Sequence, residues 1–219
     1  MKLLLMCEKS KPYVKKFIDG KYKELASFYN KQDLKDCVLL NETIVAECDY
    51  EVEEIRLVET PEYAGSECNT FLADVSLNFE TKTLNEDNLC KQSCLDAVEL
   101  NNYLDLYRKE EVYGYAICIK NLNIFKEPKA LSDYTTRKPR EWDSIVCDSC
   151  TDFGCDCKKC SYYYDYQEVV RTPRNMRKVC EWGLEDKILI PLKPKDLCKI
   201  LNKEKTIIIK KKVLKEMLK

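Results

Sequence analysis

The sequence predicts an α+β fold, and three observations carry that prediction. Short apolar runs have the length of buried strands. Segments with apolar residues at helical spacing lie between them. The end of the chain, from Ile188 onward, repeats the order of elements at its beginning. A chain of 219 residues is long enough to bury a core without disulfide staples.

Taken in order, Lys2 to Cys7 reads as a short buried strand. Lys9 to Asp19 reads as a helix with Val14, Phe17 and Ile18 on one face, stopped by Gly20. Glu42 to Val58 alternates as a long strand, with Ile44, Ala46, Cys48, Tyr50 and Val52 facing one way and Glu47, Asp49, Glu51 and Glu53 the other. Residues 60–90 are polar and irregular and read as a loop or insertion. Ser93 is placed to cap a helix reaching about Tyr107, with Leu95, Val98 and Leu106 inward. Val112 to Lys120 reads as a strand continued by Leu122 to Phe125, and Glu127-Pro128 ends it. Asn175 to Trp182 and Lys187 to Leu192 read as further strands. The terminal repeat aligns Leu3-Leu4-Leu5 with Ile188-Leu189-Ile190 and Lys11-Pro12 with Lys193-Pro194. It also aligns Val14, Phe17 and Ile18 with Leu197, Ile200 and Leu201, so two strand–helix–strand units bracket the chain.

Composition excludes much ordinary enzymology. There is no histidine, which removes Ser-His-Asp and Cys-His catalysis and every metal site that needs an imidazole. The five glycines form no phosphate-cradling loop pattern. No apolar run approaches the ~18 residues of a transmembrane helix. Leu3 to Cys7 is too short for a signal-peptide core, so a cytoplasmic protein with no membrane partner is expected.

Nine of the 14 cysteines are scattered, several where an apolar residue belongs, and read as small buried hydrophobes. The other five crowd into residues 147–160. Cys147 and Cys150 form one C-x2-C pair, and Cys157 and Cys160 form a second after a gap of six residues. Two such pairs suit a four-thiolate zinc site, structural because no position stays open for water. Disulfide-prone or unpaired thiols are the other readings, and Cys155 is a spare or alternative ligand. This loop carries almost no apolar residues, so bound metal would supply its folding energy.

Charge is also uneven. Residues 41–111 hold 18 acids against five Lys/Arg, while residues 187–219 hold 11 lysines against three acids. The basic tail suits phosphates, the acidic stretch suits a basic partner, and a solvated face accounts for either.

Three phrases resemble the ASCH family, a PUA-like β-barrel fold, in its divergent phage and prophage branch. Ile200 to Ile207 is similar to the family's helix ending in L-x-G-E-K-T. Tyr115 to Ser132 resembles its central strand and following turn, and Arg171-Thr172-Pro173-Arg174-Asn175-Met176 resembles the segment before its closing strand. The resemblance implies one complete copy over residues 1–182, with a cysteine-rich insert at about 141–166, and a partial second β-α-β unit over 187–219. Lys203 stands where the family commonly has Gly, Ile208 where it has Glu and Lys210 where it has Arg. Amidohydrolases of this fold pair the motif's lysine with a threonine three residues later. Lys205 is present here, but Ile208 stands at that threonine position. In the first copy the stretch Tyr22 to Leu25 lacks both.

The function expected is non-catalytic binding of nucleic acid, RNA above all, through Arg171, Arg174, Arg177, Lys178, Lys205, Lys210, Lys211 and Lys212. Tyr162-Tyr163-Tyr164 and Trp182 are the expected stacking partners, packing beside the cysteine loop being the other use of the tyrosines. A second reading is a phage-encoded inhibitor of a host defence nuclease acting by protein–protein contact, with Glu51, Glu53 and Glu54 imitating phosphates. A third is an ASCH-type nucleoside amidohydrolase or ribonuclease built on Glu47, Glu51, Glu53 and Lys205.

Overall fold

The computed structural model describes residues 1–8, 13–18, 20–25, 37–40, 42–58, 78–104, 111–139, 164–181 and 185–218. The strands are β1 (Lys2–Cys7), β2 (Tyr13–Ile18), β3 (Lys21–Leu25), β4 (Cys37–Leu40), β5 (Ile44–Val58), β6 (Asn78–Glu80), β7 (Val112–Lys129), β8 (Thr135–Pro139), β9 (Tyr164–Glu168), β10 (Arg177–Cys180), β11 (Asp186–Leu192) and β12 (Ile207–Lys210). The helices are α1 (Glu86–Ser93), α2 (Ala97–Leu104) and α3 (Pro194–Leu201). The class is α+β: nine strands form a large sheet, open among the described residues, and β3-β2-β4 form a small one. No described helix is long and apolar enough to cross a membrane.

The chain divides into two compact units, Met1–Asp49 with Asn121–Cys198 and Tyr50–Lys120 with Lys199–Lys219. This discontinuous division differs from the segments 1–182 and 187–219 that the sequence suggested.

In unit 1 the strand order is β5-β1-β11-β10-β8-β9. Leu3 to Cys7 are all fully buried, which is why β1 reads as an unbroken apolar run rather than an alternating one. Its parallel partner is β11, with Leu3 opposite Ile188, Leu4 opposite Leu189 and Leu5 opposite Ile190. The two ends of the sequence repeat therefore lie side by side in the register of the repeat itself. Leu4, Met6, Ile44, Leu131, Tyr134, Val169, Val179 and Leu189 form one core on this sheet.

The repeat holds for the strands and fails for the element after them. Residues 13–18, expected within a helix over 9–19, form strand β2. Asp19-Gly20 makes a two-residue connection to β3, with Ile18 opposite Lys21 and Gly20 at φ +76°. Asp-Gly between strands is a strong hairpin signal, and cross-strand pairing overrides the helical spacing of Val14, Phe17 and Ile18. The burial of those three side chains lies outside the described residues. In the second copy the helix does form. Pro194 occupies its first position, where a missing N–H costs nothing. Leu197, Ile200 and Leu201 are buried. Lys203 ends it at φ +60°, the left-handed conformation that glycine adopts without strain.

In unit 2 the order is β12-β7-β5, with β6 on β5. The expected loop over residues 60–90 contains β6 and the start of α1 among its described part. The single helix expected from Ser93 is two. Ser93 is the last residue of α1, Cys94 turns left-handed at φ +54°, and Asp96 caps α2. The cap is reciprocal: Glu99 N–H donates to Asp96 Oδ1 at 2.7 Å, and Asp96 N–H donates to Glu99 Oε2 at 3.1 Å. Val98, expected inward, is therefore exposed, while Leu100 and Leu104 are buried.

Gly114 on β7 sets how closely α2 approaches. A Cβ there would lie 2.5 Å from Leu104 Cδ2 and 3.2 Å from the Lys210 carbonyl oxygen. Leu104 is fully buried and has little room to yield. Gly114→Ala is expected to destabilise the protein by about 1–3 kcal/mol through overpacking. Adding Leu104→Ala should relieve part of that cost, so denaturant titration of the double-mutant cycle should show less than additive loss.

Candidate nucleic-acid interface

Three of the predicted basic residues are displayed on one built turn of unit 1. The turn begins at buried Val169, whose N–H donates to the Tyr134 carbonyl at 3.0 Å. Thr172 Oγ1 donates to Glu42 Oε1 at 2.5 Å, and Met176 is buried before β10 starts. Fixed at these three points, the segment exposes Arg171, Arg174 and Arg177. None of the three side chains has an ion-pair or hydrogen-bond partner among the described residues.

Lys178 belongs elsewhere. Neighbouring strand residues point to opposite faces, so it leaves the sheet on the other side from Arg177. There its Nζ lies 2.8 Å from Asp186 Oδ2, and Arg137 Nη2 lies 2.6 Å from the same oxygen. Asp186 draws β8, β10 and β11 together, and Lys178 serves that junction.

A second charged cluster rims the unit 1 core. Lys129 Nζ donates to Glu181 Oε1 at 2.9 Å. Lys187 Nζ lies 3.5 Å from that oxygen and 3.2 Å from Glu47 Oε2. Lys129 also lies 5.0 Å from the Phe125 ring centre and 5.8 Å from that of Tyr134. Burial alone would raise the Glu181 pKa, but the Lys129 hydrogen bond and the nearby ammonium groups outweigh it and hold the carboxyl below its usual value. The fully buried Tyr134 hydroxyl sits near Glu181 and has no well-formed hydrogen bond among the described residues. Burial, then the Glu181 charge, push its pKa far up, so it remains a phenol.

In unit 2 the predicted lysines separate. Lys205 is buried and engaged within the fold, so its ammonium is not part of an exposed basic surface. Lys210 closes β12 opposite Tyr115 and is half-buried. Lys212 is exposed. Lys211 Nζ stands 5.8 Å from the ring centre of Tyr103, an exposed aromatic that sequence reading did not select. Its proximity to the tail depends on how α2 meets β7 and β12, which no local pattern encodes.

The acidic candidates are committed within unit 2. Glu51 pairs with Lys120 and Glu54 with Arg56, while Glu53 accepts Thr83 N–H at 3.0 Å and Thr83 Oγ1 at 2.7 Å. Cys7, Cys48, Cys180 and Cys198 are buried, as expected of small hydrophobes. Burial pushes the Cys48 thiol up to about 12, which keeps it unreactive. Cys147, Cys150, Cys157 and Cys160 lie outside the described residues, as do Tyr162, Tyr163 and Trp182. Among the described residues no group of three or more Cys, Asp or Glu is placed to hold a metal ion.

Two substitutions test the rim cluster. Tyr134→Phe removes a poorly satisfied buried hydroxyl while keeping the ring, and thermal melting should show a neutral or slightly stabilising effect. Glu181 is deprotonated in the fold with a lowered pKa, so its contribution is present above the unfolded carboxyl range and is lost as pH falls through the folded pKa. Glu181→Gln should lower stability at neutral pH and flatten the acid limb of a stability–pH curve. Comparison with protein-family models, with curated proteins and with solved structures finds no match to this chain.

Proposed function

We propose that the protein binds nucleic acid, RNA above all, without catalysing a reaction on it. The observation that carries this reading is the anchored turn leading into β10, with three exposed arginines, Arg171, Arg174 and Arg177, whose side chains have no ion-pair or hydrogen-bond partner among the described residues. A guanidinium that no described acid engages offers its five donors to a phosphate or a base. Three left uncommitted, on a segment tied down by Val169, Thr172 and Met176, suit a polyanion. Arginine also stacks on unpaired bases, which favours RNA loops and single strands. Arg171 and Arg174 also lie in the segment Arg171-Thr172-Pro173-Arg174-Asn175-Met176 that resembles the ASCH, PUA-like family.

If the arginines contact phosphates, replacing Arg171, Arg174 and Arg177 together with Ala should weaken RNA binding for all sequences alike. It should also reduce the slope of log affinity against log salt by about two to three. Anisotropy titrations of labelled RNA at several salt concentrations read this directly. An unchanged slope would reject the reading.

A structural zinc held by Cys147, Cys150, Cys157 and Cys160 is part of the proposal. Pro139 pairs with Tyr164 at the end of the β8–β9 ladder, so the ends of the segment carrying the two C-x2-C pairs are brought together. Elemental analysis of reduced protein purified without chelator should give about one zinc per chain. Well under half an equivalent would remove the metal from the proposal.

A further inference from the structure

We propose that Glu42 positions the arginine turn for nucleic acid: by holding the Thr172 hydroxyl, it sets Arg171 and Arg174 where they take phosphates. The inference rests on the nucleic-acid reading above and assigns to that site an acid whose charge alone would oppose the ligand.

Val169 and Met176 are buried and fix the two ends of the turn. Between them, among the described residues, one hydrogen bond is made, from Thr172 Oγ1 to Glu42 Oε1 at 2.5 Å. Thr172 follows Arg171 directly and stands two residues before Arg174, so this bond holds the backbone that carries both. Arg177 is placed independently, opposite Leu189 in the β10–β11 ladder.

Glu42 reaches the turn from a fixed support. It lies between β4 and β5, where the Thr43 carbonyl accepts the Cys7 N–H at 3.0 Å and Ile44 is fully buried opposite Met6. Its backbone is left-handed at φ +51°, a conformation that a glutamate keeps only where its surroundings impose it. Three arginines lie on the same turn as Thr172, yet the carboxylate pairs with none of them and takes the neutral hydroxyl instead. An acid beside a polyanion site opposes binding through its charge. What Glu42 adds is order, since arginines already in place lose less freedom on binding. Charge and order act in opposite directions, which separates a positioning role from an electrostatic one.

The test uses the full chain and labelled oligouridylate. Glu42→Gln removes the charge but keeps a side-chain carbonyl for Thr172, so affinity should equal or exceed that of the wild type. Glu42→Ala removes the same charge and the bond as well. It should bind about two- to tenfold more weakly than Glu42→Gln, the worth of one net hydrogen bond. Thr172→Val should weaken wild-type binding to a similar degree, and Thr172→Ser should restore it. With Arg171 and Arg174 both replaced by Ala, the difference between Glu42→Gln and Glu42→Ala should vanish, whereas a general loss of stability would persist. NMR order parameters of the Arg171 and Arg174 amides in RNA-free protein should fall in Glu42→Ala and hold in Glu42→Gln. Thr172→Val gives the same reading where Glu42→Ala fails to fold. Equal affinities of folded Glu42→Gln and Glu42→Ala, or order parameters indifferent to loss of the bond, would overturn the positioning role while leaving the phosphate contacts of the arginines intact. Absence of RNA binding by the wild-type protein would overturn the nucleic-acid reading, and the positioning role with it.

Discussion

Parallel pairing of β1 with β11 is the contact on which unit 1 depends. It joins Leu3-Leu4-Leu5 to Ile188-Leu189-Ile190, segments almost a full chain length apart. Such a pair cannot be closed by a tight turn, and its loop-closure entropy is offset only when the intervening chain has found its place. All six side chains are buried, so the pair tolerates no polar residue on either face. β10 then adds antiparallel to β11, with Arg177 opposite Leu189. The arginine turn thus leads into a strand whose own position is set by the terminal pair.

Legibility in the sequence follows from how local each cause is. The buried strands were readable because an unbroken apolar run admits few alternatives. Residues 13–18 were not, because Val14, Phe17 and Ile18 fit helical spacing in a window too short to decide between periods. The deciding information was Asp19-Gly20, a turn signal whose meaning depends on a partner strand. The α2 start was present as Asp96-Ala97-Val98-Glu99, yet Ser93 is an equally acceptable cap by residue type. Only the left-handed Cys94 separates them.

The candidate site divides in the same way. Arg171, Arg174 and Arg177 are exposed because the turn between them is irregular and fixed at buried points, so residue type was a sufficient guide. Lys178 and Lys205 have the same composition signal and opposite fates. One is held by Asp186 across three strands, and the other is buried after α3. Tyr103 carried no signal at all, since its neighbour Lys211 is supplied by a distant strand. Charge counts along a chain report which residues are available, and packing decides which of them reach solvent.

The β8–β9 hairpin has a consequence for how this fold can vary. Its ladder runs from Thr135 opposite Glu168 to Pro139 opposite Tyr164, and Thr135 is fastened to β10 through the Cys180 carbonyl. Everything between residues 139 and 164 is therefore delivered from a closed stem whose foot is already paid for by the sheet. By loop-closure entropy alone, each doubling of the chain joining the two ends of such a stem costs about 0.6 kcal/mol. The closed stem, set by the sheet alone, thus does not depend on the length or chemistry of the chain that joins its ends. The sheet and the arginine turn behind it would be left as they are, making this hairpin a natural point of divergence and a practical place to graft a tag or binding loop.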